Sequence, residues 1–320
     1  MKPYGLFLSV LMVVIVPAVI FLFMSAKSHV KLPEDSYTIV GNQQMILVID
    51  GEIVKEMKLD DYIVGVILGE LPDTFEMSTL KAQAVAVRTY TLRRVKHSGL
   101  KHECAHVCTN HVCCQAYTDP GEYQNTAFLQ KVQDAVTATS NQVLIYNNDL
   151  IEATYFSCSG GRTEDAVSVW GTDIPYLKSV DSPGEERATY YTYALEYTRE
   201  EFLSLLGLPE GLLLYDDSID IVYSNGGGAI QVTVGDSMFS GTQIRTLLDL
   251  PSTAFCFDFT TDSVIVTTKG NGHRVGMSQY GADAMAVAGS TYSEILMHYY
   301  PGTELVTFTA EQMQSIFDKV

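Results

Sequence analysis

The sequence is poor in positive charge, and this shortage excludes two classes of protein. Its 320 residues include 20 Lys and Arg against 38 Asp and Glu, which gives a formal net charge of -18. Proteins that coat nucleic acid need clustered lysines and arginines to bind phosphates, and binders of anionic lipid surfaces need a polybasic patch. We therefore expect no nucleic-acid partner. Short internal repeats are also lacking, which excludes a solenoid, and no His-Glu-x-x-His segment indicates a catalytic zinc helix.

Long apolar runs are lacking except near the N-terminus. The run Leu6–Phe23 approaches the roughly 20 apolar residues of a spanning helix and exceeds the roughly 7–15 of a signal-peptide core. We therefore predict an N-terminal transmembrane helix in a single-pass cell-membrane protein, with anchor and stalk over residues 1–31. An extracytoplasmic region follows over residues 32–320. A removed signal peptide, cleaved near Ala26 and Ser28, is the alternative.

The rest of the chain has the composition of a globular protein, with 47% hydrophobic and 18% charged residues. Strand and helix patterns follow one another irregularly. This favours an α+β fold, with mixed strands and helices around a groove, over a doubly wound parallel sheet. Asp50-Gly51 predicts a tight hairpin turn, Asp60 predicts a helix N-cap, and Pro72 ends that helix near Leu71.

Local patterns predict further elements along the chain. Leu150–Phe156 has the composition of a strand, and Gly226–Gly228 is typical of a flexible connection. Thr291 and Glu294 form a capping-box pattern for a helix that stops before Pro301.

Glu70 is the most informative single residue. It lies three positions after Ile67 and four after Val66, and so on the apolar stripe of the predicted helix. It also lies in the last turn, where the helix dipole opposes an anion. Burial and that dipole both favour the protonated carboxyl, which can donate a proton to a leaving group. On periodicity alone, the simpler interpretation is a glutamate that reaches solvent or pairs with Lys81 or Arg88.

Cysteine and histidine are concentrated between residues 97 and 114. The segment holds Cys104, Cys108, Cys113 and Cys114 together with His97, His102, His106 and His111. A short loop of this kind can supply the four thiolate or imidazole ligands of one structural zinc ion. Disulfides between the adjacent pair and the two earlier cysteines are the alternative in an exported protein.

Two other patterns have weaker implications. Cys158 and His273 could form a nucleophilic pair, although most lone cysteines are small buried side chains. The single tryptophan, Trp170, and the 19 tyrosines could pack on sugar rings, although most aromatic residues simply fill the core or surface.

Three groups of segments together resemble the stage II sporulation protein D family. The first is Gly69-Glu-Leu-Pro72 followed by Leu80-Lys-Ala-Gln-Ala-Val-Ala-Val-Arg-Thr-Tyr90. The second is Ser157-Cys-Ser-Gly-Gly-Arg-Thr163 with Val169-Trp-Gly171 and Pro175-Tyr-Leu-Lys-Ser-Val180. The third is Gly272-His-Arg-Val-Gly-Met-Ser-Gln-Tyr-Gly281 with His298-Tyr-Tyr-Pro-Gly302. The resemblance covers roughly residues 45–305, and the ordered combination is far more specific than any one piece.

The resemblance implies a lytic transglycosylase that cleaves the glycan strands of peptidoglycan during forespore engulfment. Glu70 would be its catalytic acid. The motifs imply a substrate-binding set of Arg88, Tyr90, Tyr155, Ser159, Gly160, Gly161, Trp170, His273, Gln279 and Tyr280. Implied partners are peptide-stripped glycan strands and the stage II sporulation proteins P and M, with the membrane contacted through the N-terminal helix.

Zinc binding by some family members implies the ligands His102, Cys108, Cys113 and Cys114. The position of Cys113 is often His in those members, and Cys104, His106 and His111 compete for the role. Two more departures are Asn271 and Arg274, which stand where the family often has Trp and Gly, and Cys158 stands where Ser or Thr is common.

Two rival functions stay open from the sequence. A peptidoglycan peptidase would use Cys158 or the metal loop and release amine termini. A non-catalytic amidase enhancer would bind glycan and stimulate a partner enzyme.

Overall fold

The computed structural model describes residues 44–98, 102–215 and 218–318. The anchor and stalk predicted over residues 1–31 lie outside these ranges. Within them, no helix is both long enough and apolar enough to cross a membrane. The described part is built from 14 strands and 9 helices that follow one another irregularly, so the predicted α+β class is confirmed.

The first part of the chain forms a helical layer beside small sheets. Strands β1 (Met45–Asp50) and β2 (Ile53–Lys58) make the predicted hairpin, with Gly51 at φ +62° in its turn. Helix α1 (Leu59–Glu70) and helix α2 (Met77–Ser98) follow. Strand β3 (Val107–Cys108) then joins β1 in parallel. The loop rich in cysteine is thereby fastened to the hairpin.

The middle of the chain completes this layer. Helix α3 (Thr126–Ala138) precedes β4 (Gln142–Tyr146), which pairs with the short β5 (Asp149–Leu150). Next come β6 (Tyr155–Phe156) and helix α4 (Ala166–Trp170). The three long helices α1, α2 and α3 share one apolar core with β1, and Tyr62 and Leu80 are fully buried within it.

Residues 192–215 and 218–269 form a satellite with a core of their own. It contains β7 (Thr192–Thr198), α5 (Arg199–Leu205), β8 (Ile219–Tyr223), β9 (Ala229–Val234), β10 (Ser237–Ser240), α6 (Gly241–Leu247), β11 (Phe255–Phe259) and β12 (Ser263–Lys269). Its two sheets have the strand orders β10-β9-β8 and β11-β12-β7. Phe202, Val232 and Val264 are fully buried between them.

The C-terminal part returns to the first layer. Strand β13 (Met277–Ser278) pairs in parallel with β6 and leads into α7 (Gln279–Val287) and α8 (Tyr292–Tyr299). Strand β14 (Glu304–Thr307) pairs with β4, and α9 (Ala310–Phe317) ends the described chain. The predicted capping box of Thr291 and Glu294 is present.

Three local predictions were wrong. Asp60 does not cap α1, which starts one residue earlier after Lys58; its carboxylate instead pairs with Arg88 at 3.1 Å. The strand expected over Leu150–Phe156 is interrupted, because the Glu152 amide donates to the hydroxyl of Tyr176 rather than to a neighbouring strand.

The third concerns Gly226–Gly228, which is packed rather than flexible. The amide of Gly228 donates to a carboxylate oxygen of buried Glu164 at 2.6 Å. A Cβ on Gly226 would lie 2.4 Å from the Thr163 carbonyl oxygen. These glycines therefore serve close backbone approach.

Candidate active site

A groove of about 790 Å³ runs between the first layer and the loops that precede α7. Its lining includes Glu70, Tyr90, Tyr155, Trp170 and His273, five of the residues that the sequence predicted for the site. Volumes of about 300–1,000 Å³ accommodate small ligands or a few sugar rings. The structure thus brings the predicted acid and four predicted binding residues into one cavity.

Glu70 ends α1 and is held at both carboxylate oxygens. The amide of Ala116 donates to Oε1 at 2.9 Å, and Gln279 Nε2 donates to Oε2 at 3.1 Å. Ala116 reaches this position because Gly69 has no side chain: a Cβ there would lie 2.8 Å from the Tyr117 amide nitrogen. Gln279 opens α7 and is almost fully buried. Together, the two hydrogen bonds fix the orientation of the Glu70 carboxyl.

The electrostatics of Glu70 combine opposing influences. Burial raises the pKa of Glu70 above its usual value, while the hydrogen bonds from Ala116 and Gln279 and the nearby His111 act in the opposite direction. Burial wins, as expected for a carboxyl with limited solvent. A raised pKa suits a general acid that must hold its proton near neutral pH. The direction agrees with the expectation from helix periodicity.

A network of polar side chains forms the floor beside Glu70. Tyr155 donates its hydroxyl hydrogen to Gln115 Oε1 at 2.8 Å, and Gln115 Nε2 donates to the Tyr62 hydroxyl at 3.1 Å. Burial and the charge of Glu70 hold the pKa of Tyr155 well above its usual value. The floor therefore stays uncharged and fixed in orientation.

One wall of the groove carries charge that is already paired. The guanidinium of Arg94 lies 4.5 Å from the ring centre of Tyr90 and forms an ion pair with Glu152. Arg93 Nε also donates to Glu152, at 3.1 Å. Glu152 is thus a second acid in the groove, and its two carboxylate oxygens are bound by two arginines.

The opposite wall is aromatic. The ring of His273 lies 5.4 Å from Trp170 and 5.6 Å from Phe156, measured between centroids. Trp170 is 42% exposed and can pack on a bound ring. Burial, together with the charge of Arg245, lowers the pKa of His273 to about 4. The imidazole is therefore neutral and its Nδ1 accepts from the Val275 amide at 3.1 Å.

The structure also gathers the predicted metal ligands. The ligand atoms of His102, Cys108, Cys113 and Cys114 all lie within 4.8 Å of one another. Three thiols and one imidazole are the donor set that tetrahedral zinc prefers, so these residues fit a structural zinc ion. Cys113 and Cys114 also border the groove.

The competing ligands have other roles. His106 Nδ1 accepts from the Leu47 amide at 2.9 Å and so fastens the loop to β1. His111 faces the groove near Glu70. All six cysteines lie in the described ranges, and none forms a disulfide. The disulfide alternative for this loop is not supported.

Six predicted substrate-binding residues do not line the groove; one of them, Gln279, contacts Glu70 from the start of α7. Arg88 is fully buried; its guanidinium pairs with Asp60 and donates to the Thr139 carbonyl at 2.7 Å, so it braces α2 against α3. Tyr280 packs edge-on against Phe75, with ring centres 5.1 Å apart. The remaining three are Ser159, Gly160 and Gly161.

Those three residues surround a buried carboxylate instead of a ligand. Amides of Ser159 and Gly160 each donate to Glu185 Oε2 at 2.8 Å, and the Ser159 hydroxyl does so at the same distance. Glu185 is fully buried. Gly160 and Gly161, at φ +76° and +111°, shape this backbone nest. These motif residues therefore bind the Glu185 carboxylate and do not line the groove.

Cys158 does not have the surroundings of a nucleophile. It is fully buried, and burial with the charge of Glu185 raises the pKa of its thiol to about 12. A reactive cysteine needs a lowered pKa and some exposure. The peptidase hypothesis therefore has no support at this residue.

Sequence reasoning missed Gln115, Ala116 and Glu152. A signal for Ala116 was present in Gly65 and Gly69, which lie four apart on one face of α1 and predict close approach of another segment. Nothing local to Glu152 indicated its place in the groove. Asn271, which stands where the family often has Trp, lines the groove.

Similarity to known proteins identifies the family of this chain. A family model described as "Stage II sporulation protein" matches residues 50–146. The chain is 36% identical over 261 residues to "Stage II sporulation protein D" of Bacillus subtilis (strain 168), covering 79% of this chain and 75% of that protein. The chain belongs to the stage II sporulation protein D family. The family predicted from the motifs is thereby confirmed.

Two further relatives define the extent of the similarity. The sporulation protein D of Bacillus amyloliquefaciens is 33% identical over 79% of this chain and 75% of its own. The "Amidase enhancer" of Bacillus subtilis (strain 168) is 27% identical over 76% of this chain but only 40% of its own length. The similarity to each of these three relatives thus covers more than three quarters of this chain.

Proposed function

We propose that this chain is a peptidoglycan lytic transglycosylase acting in sporulation. It cleaves the bond between N-acetylmuramic acid and N-acetylglucosamine and leaves 1,6-anhydro-muramic ends. The observation that carries the proposal is Glu70, a partly buried carboxyl of raised pKa in a groove walled by Tyr90, Tyr155 and Trp170.

In the first half of the reaction, Glu70 acts as general acid. Its proton passes to the bridging oxygen, the muramic C1–oxygen bond breaks, and the N-acetylglucosamine product carries that proton away. Positive charge then develops at C1. Proton transfer by a positioned group contributes roughly 10²–10⁴-fold in rate.

In the second half, the same residue acts as base. The Glu70 carboxylate takes the proton of the muramic C6 hydroxyl, whose oxygen bonds to C1 and closes the anhydro ring. No water is consumed, and Glu70 regains its proton. The Ala116 and Gln279 donors stabilise the carboxylate between the two halves, when it is transiently charged.

The other acid in the groove supports a single-carboxylate mechanism. Ordinary glycosidases pair an acid with a second carboxylate that serves as nucleophile or base. Both oxygens of Glu152 are bound by Arg93 and Arg94, so neither is free to contact a substrate hydroxyl or a water. Glu70 therefore performs both proton transfers.

We further propose that His102, Cys108, Cys113 and Cys114 hold one structural zinc ion. When bound, the ion supplies a cross-link for the loop beside the groove, because four protein ligands leave no open position for catalysis. Loss of the ion would thus lower stability and not remove a reacting group.

The cellular setting completes the proposal. The external location, the membrane anchor over residues 1–31, and the partners (peptide-stripped glycan and the stage II sporulation proteins P and M) follow from the family resemblance. They stay predictions.

The experiment is digestion of peptide-stripped glycan strands by the purified full-length chain, followed by mass spectrometry. Lytic products are lighter than hydrolytic ones by one water. Amine termini would instead indicate a peptidase. The similarity to the amidase enhancer favours one second candidate, a glycan-binding stimulator. Absence of cleavage by the chain alone, with stimulation of an added amidase, would establish that candidate.

A further inference from the structure

A second cleft of about 460 Å³ lies in the satellite beside the catalytic groove. One wall is a face of β7, where Tyr193, Leu195 and Tyr197 alternate along the strand. The other wall is the end of α6 and the residues after it, including Arg245 and Pro251. A cleft lined by tyrosines and a cation suits a sugar that carries an acid.

The cleft and the groove meet at Asn271, which lines both. The junction is held by the backbone on either side of that residue. The Gly270 amide donates to the Tyr190 carbonyl at 2.9 Å, and the Gly272 amide donates to the Pro251 carbonyl at 3.0 Å. A polymer lying in the groove therefore reaches, at Asn271, the residue where the cleft begins.

The aromatic surface of the cleft is accessible. Tyr190 and Tyr193 are each 37% exposed, and their rings meet edge-on with centres 5.2 Å apart. Tyr197 is fixed by donating its hydroxyl hydrogen to the Leu248 carbonyl at 2.6 Å. The two exposed rings, that of Tyr193 on β7 and that of Tyr190 in the turn before it, form a surface for sugar C–H faces.

Arg245 is a cation without a carboxylate partner among the described residues. Its Nε donates to the Leu250 carbonyl at 3.2 Å, and the side chain lines the cleft. Burial lowers the pKa of Arg245, with no acid offsetting the effect. The other charged group in the lining, Asp249, is exposed and is not in an ion pair with it among the described residues. A half-buried cation with no carboxylate partner favours an incoming anion.

We propose that this cleft is a remote glycan subsite in which Tyr190 and Tyr193 pack on a sugar and Arg245 binds the lactyl carboxylate of a peptide-free muramic residue. The inference rests on the proposed function, since it takes the substrate of the groove to be a peptidoglycan strand. That carboxylate is free only after the stem peptide has been removed, so the subsite selects stripped strands.

The test is binding of defined N-acetylglucosamine–N-acetylmuramic acid oligosaccharides to the full-length chain carrying Glu70→Gln, by titration calorimetry. Hexasaccharide with free carboxylates is compared with its lactyl methyl ester and with the disaccharide. We expect Arg245→Gln to weaken the free-acid hexasaccharide about tenfold, equivalent to about 1.4 kcal/mol. Binding of the ester and of the disaccharide stays unchanged.

Tyr193→Ala provides an independent arm, because it removes one of the two exposed rings and spares the cation. It weakens acid and ester hexasaccharides alike, whereas Tyr215→Ala, which removes a 58% exposed tyrosine outside the cleft, changes neither. Unchanged hexasaccharide binding in both Arg245→Gln and Tyr193→Ala, at unaltered melting temperature, overturns the subsite. Equal loss of acid and ester in Arg245→Gln overturns the carboxylate assignment. These experiments measure binding and not cleavage. A chain that binds the oligosaccharides as expected but cleaves no glycan would therefore contradict the proposed function and leave the subsite intact.

Discussion

Replacing Glu70 by Gln separates the chemistry of the site from its folding. The amide has nearly the shape of the carboxyl, and its oxygen can still accept from the Ala116 amide. The exchangeable proton is lost, so we expect the rate of glycan cleavage to fall by roughly 10²–10⁴-fold. Release of anhydro ends from stripped strands is the assay, and Glu304→Gln, an exposed acid on β14, is the matched control.

The same substitution has a pH-dependent effect on stability. Burial raises the folded-state pKa of Glu70 above the ordinary value of 4.5, so ionisation favours the unfolded chain. Below pH 4.5 the carboxyl is protonated in both states and carries no penalty. As the pH rises through the folded-state pKa, the native chain loses stability that the Gln variant keeps. Each tenfold difference in proton affinity corresponds to about 1.4 kcal/mol.

Thermal unfolding of both proteins from acid to neutral pH measures this effect. The melting temperature of Glu70→Gln, minus that of the native chain, should increase as the pH rises. A decrease of this difference with pH would show that burial does not outweigh the two hydrogen bonds in setting the pKa of Glu70. Undiminished cleavage by the variant would refute the catalytic assignment altogether.

Three further predictions concern the surroundings of the acid. Glu152→Gln should keep cleavage within about tenfold, because its carboxylate is engaged by arginines; a loss as large as that of Glu70→Gln would indicate a two-carboxylate mechanism. Gly69→Ala should lower both melting temperature and cleavage rate, since its Cβ would lie 2.8 Å from the Tyr117 amide nitrogen, whereas Gly211→Ala, with open space around it, should change neither. Chelator treatment should remove zinc, as measured by elemental analysis, and lower the melting temperature; lost activity at an unmoved melting temperature would contradict a structural ion.

Part of the site could be predicted because its signals are local. Helix periodicity predicted that Glu70 lies on the apolar face of α1, and Pro72 predicted the end of that helix just beyond it. The roles of Glu70 as catalytic acid and of the four residues as zinc ligands came from the family resemblance and stay predictions, although the structure places the four ligand atoms within 4.8 Å of one another. Patterns confined to a few turns are the ones that a single sequence carries.

The errors came from partners distant in the chain. Arg88 was predicted to bind substrate. Its guanidinium instead pairs with the Asp60 carboxylate and donates to the Thr139 carbonyl at the end of α3. The family resemblance implied that Ser159 and Gly160 bind substrate, but their amides instead bind the carboxylate of Glu185, more than twenty residues later. No local pattern states which buried group will fill a given nest.

The two hydrogen bonds to Glu70 span very different lengths of chain. Ala116 lies 46 residues after Glu70, and Gln279 lies 209 residues after it. A nascent polypeptide that has been synthesised only as far as the satellite therefore lacks the hydrogen bond from Gln279. The surroundings of Glu70 are complete only after α7 has been made and has folded onto the first layer.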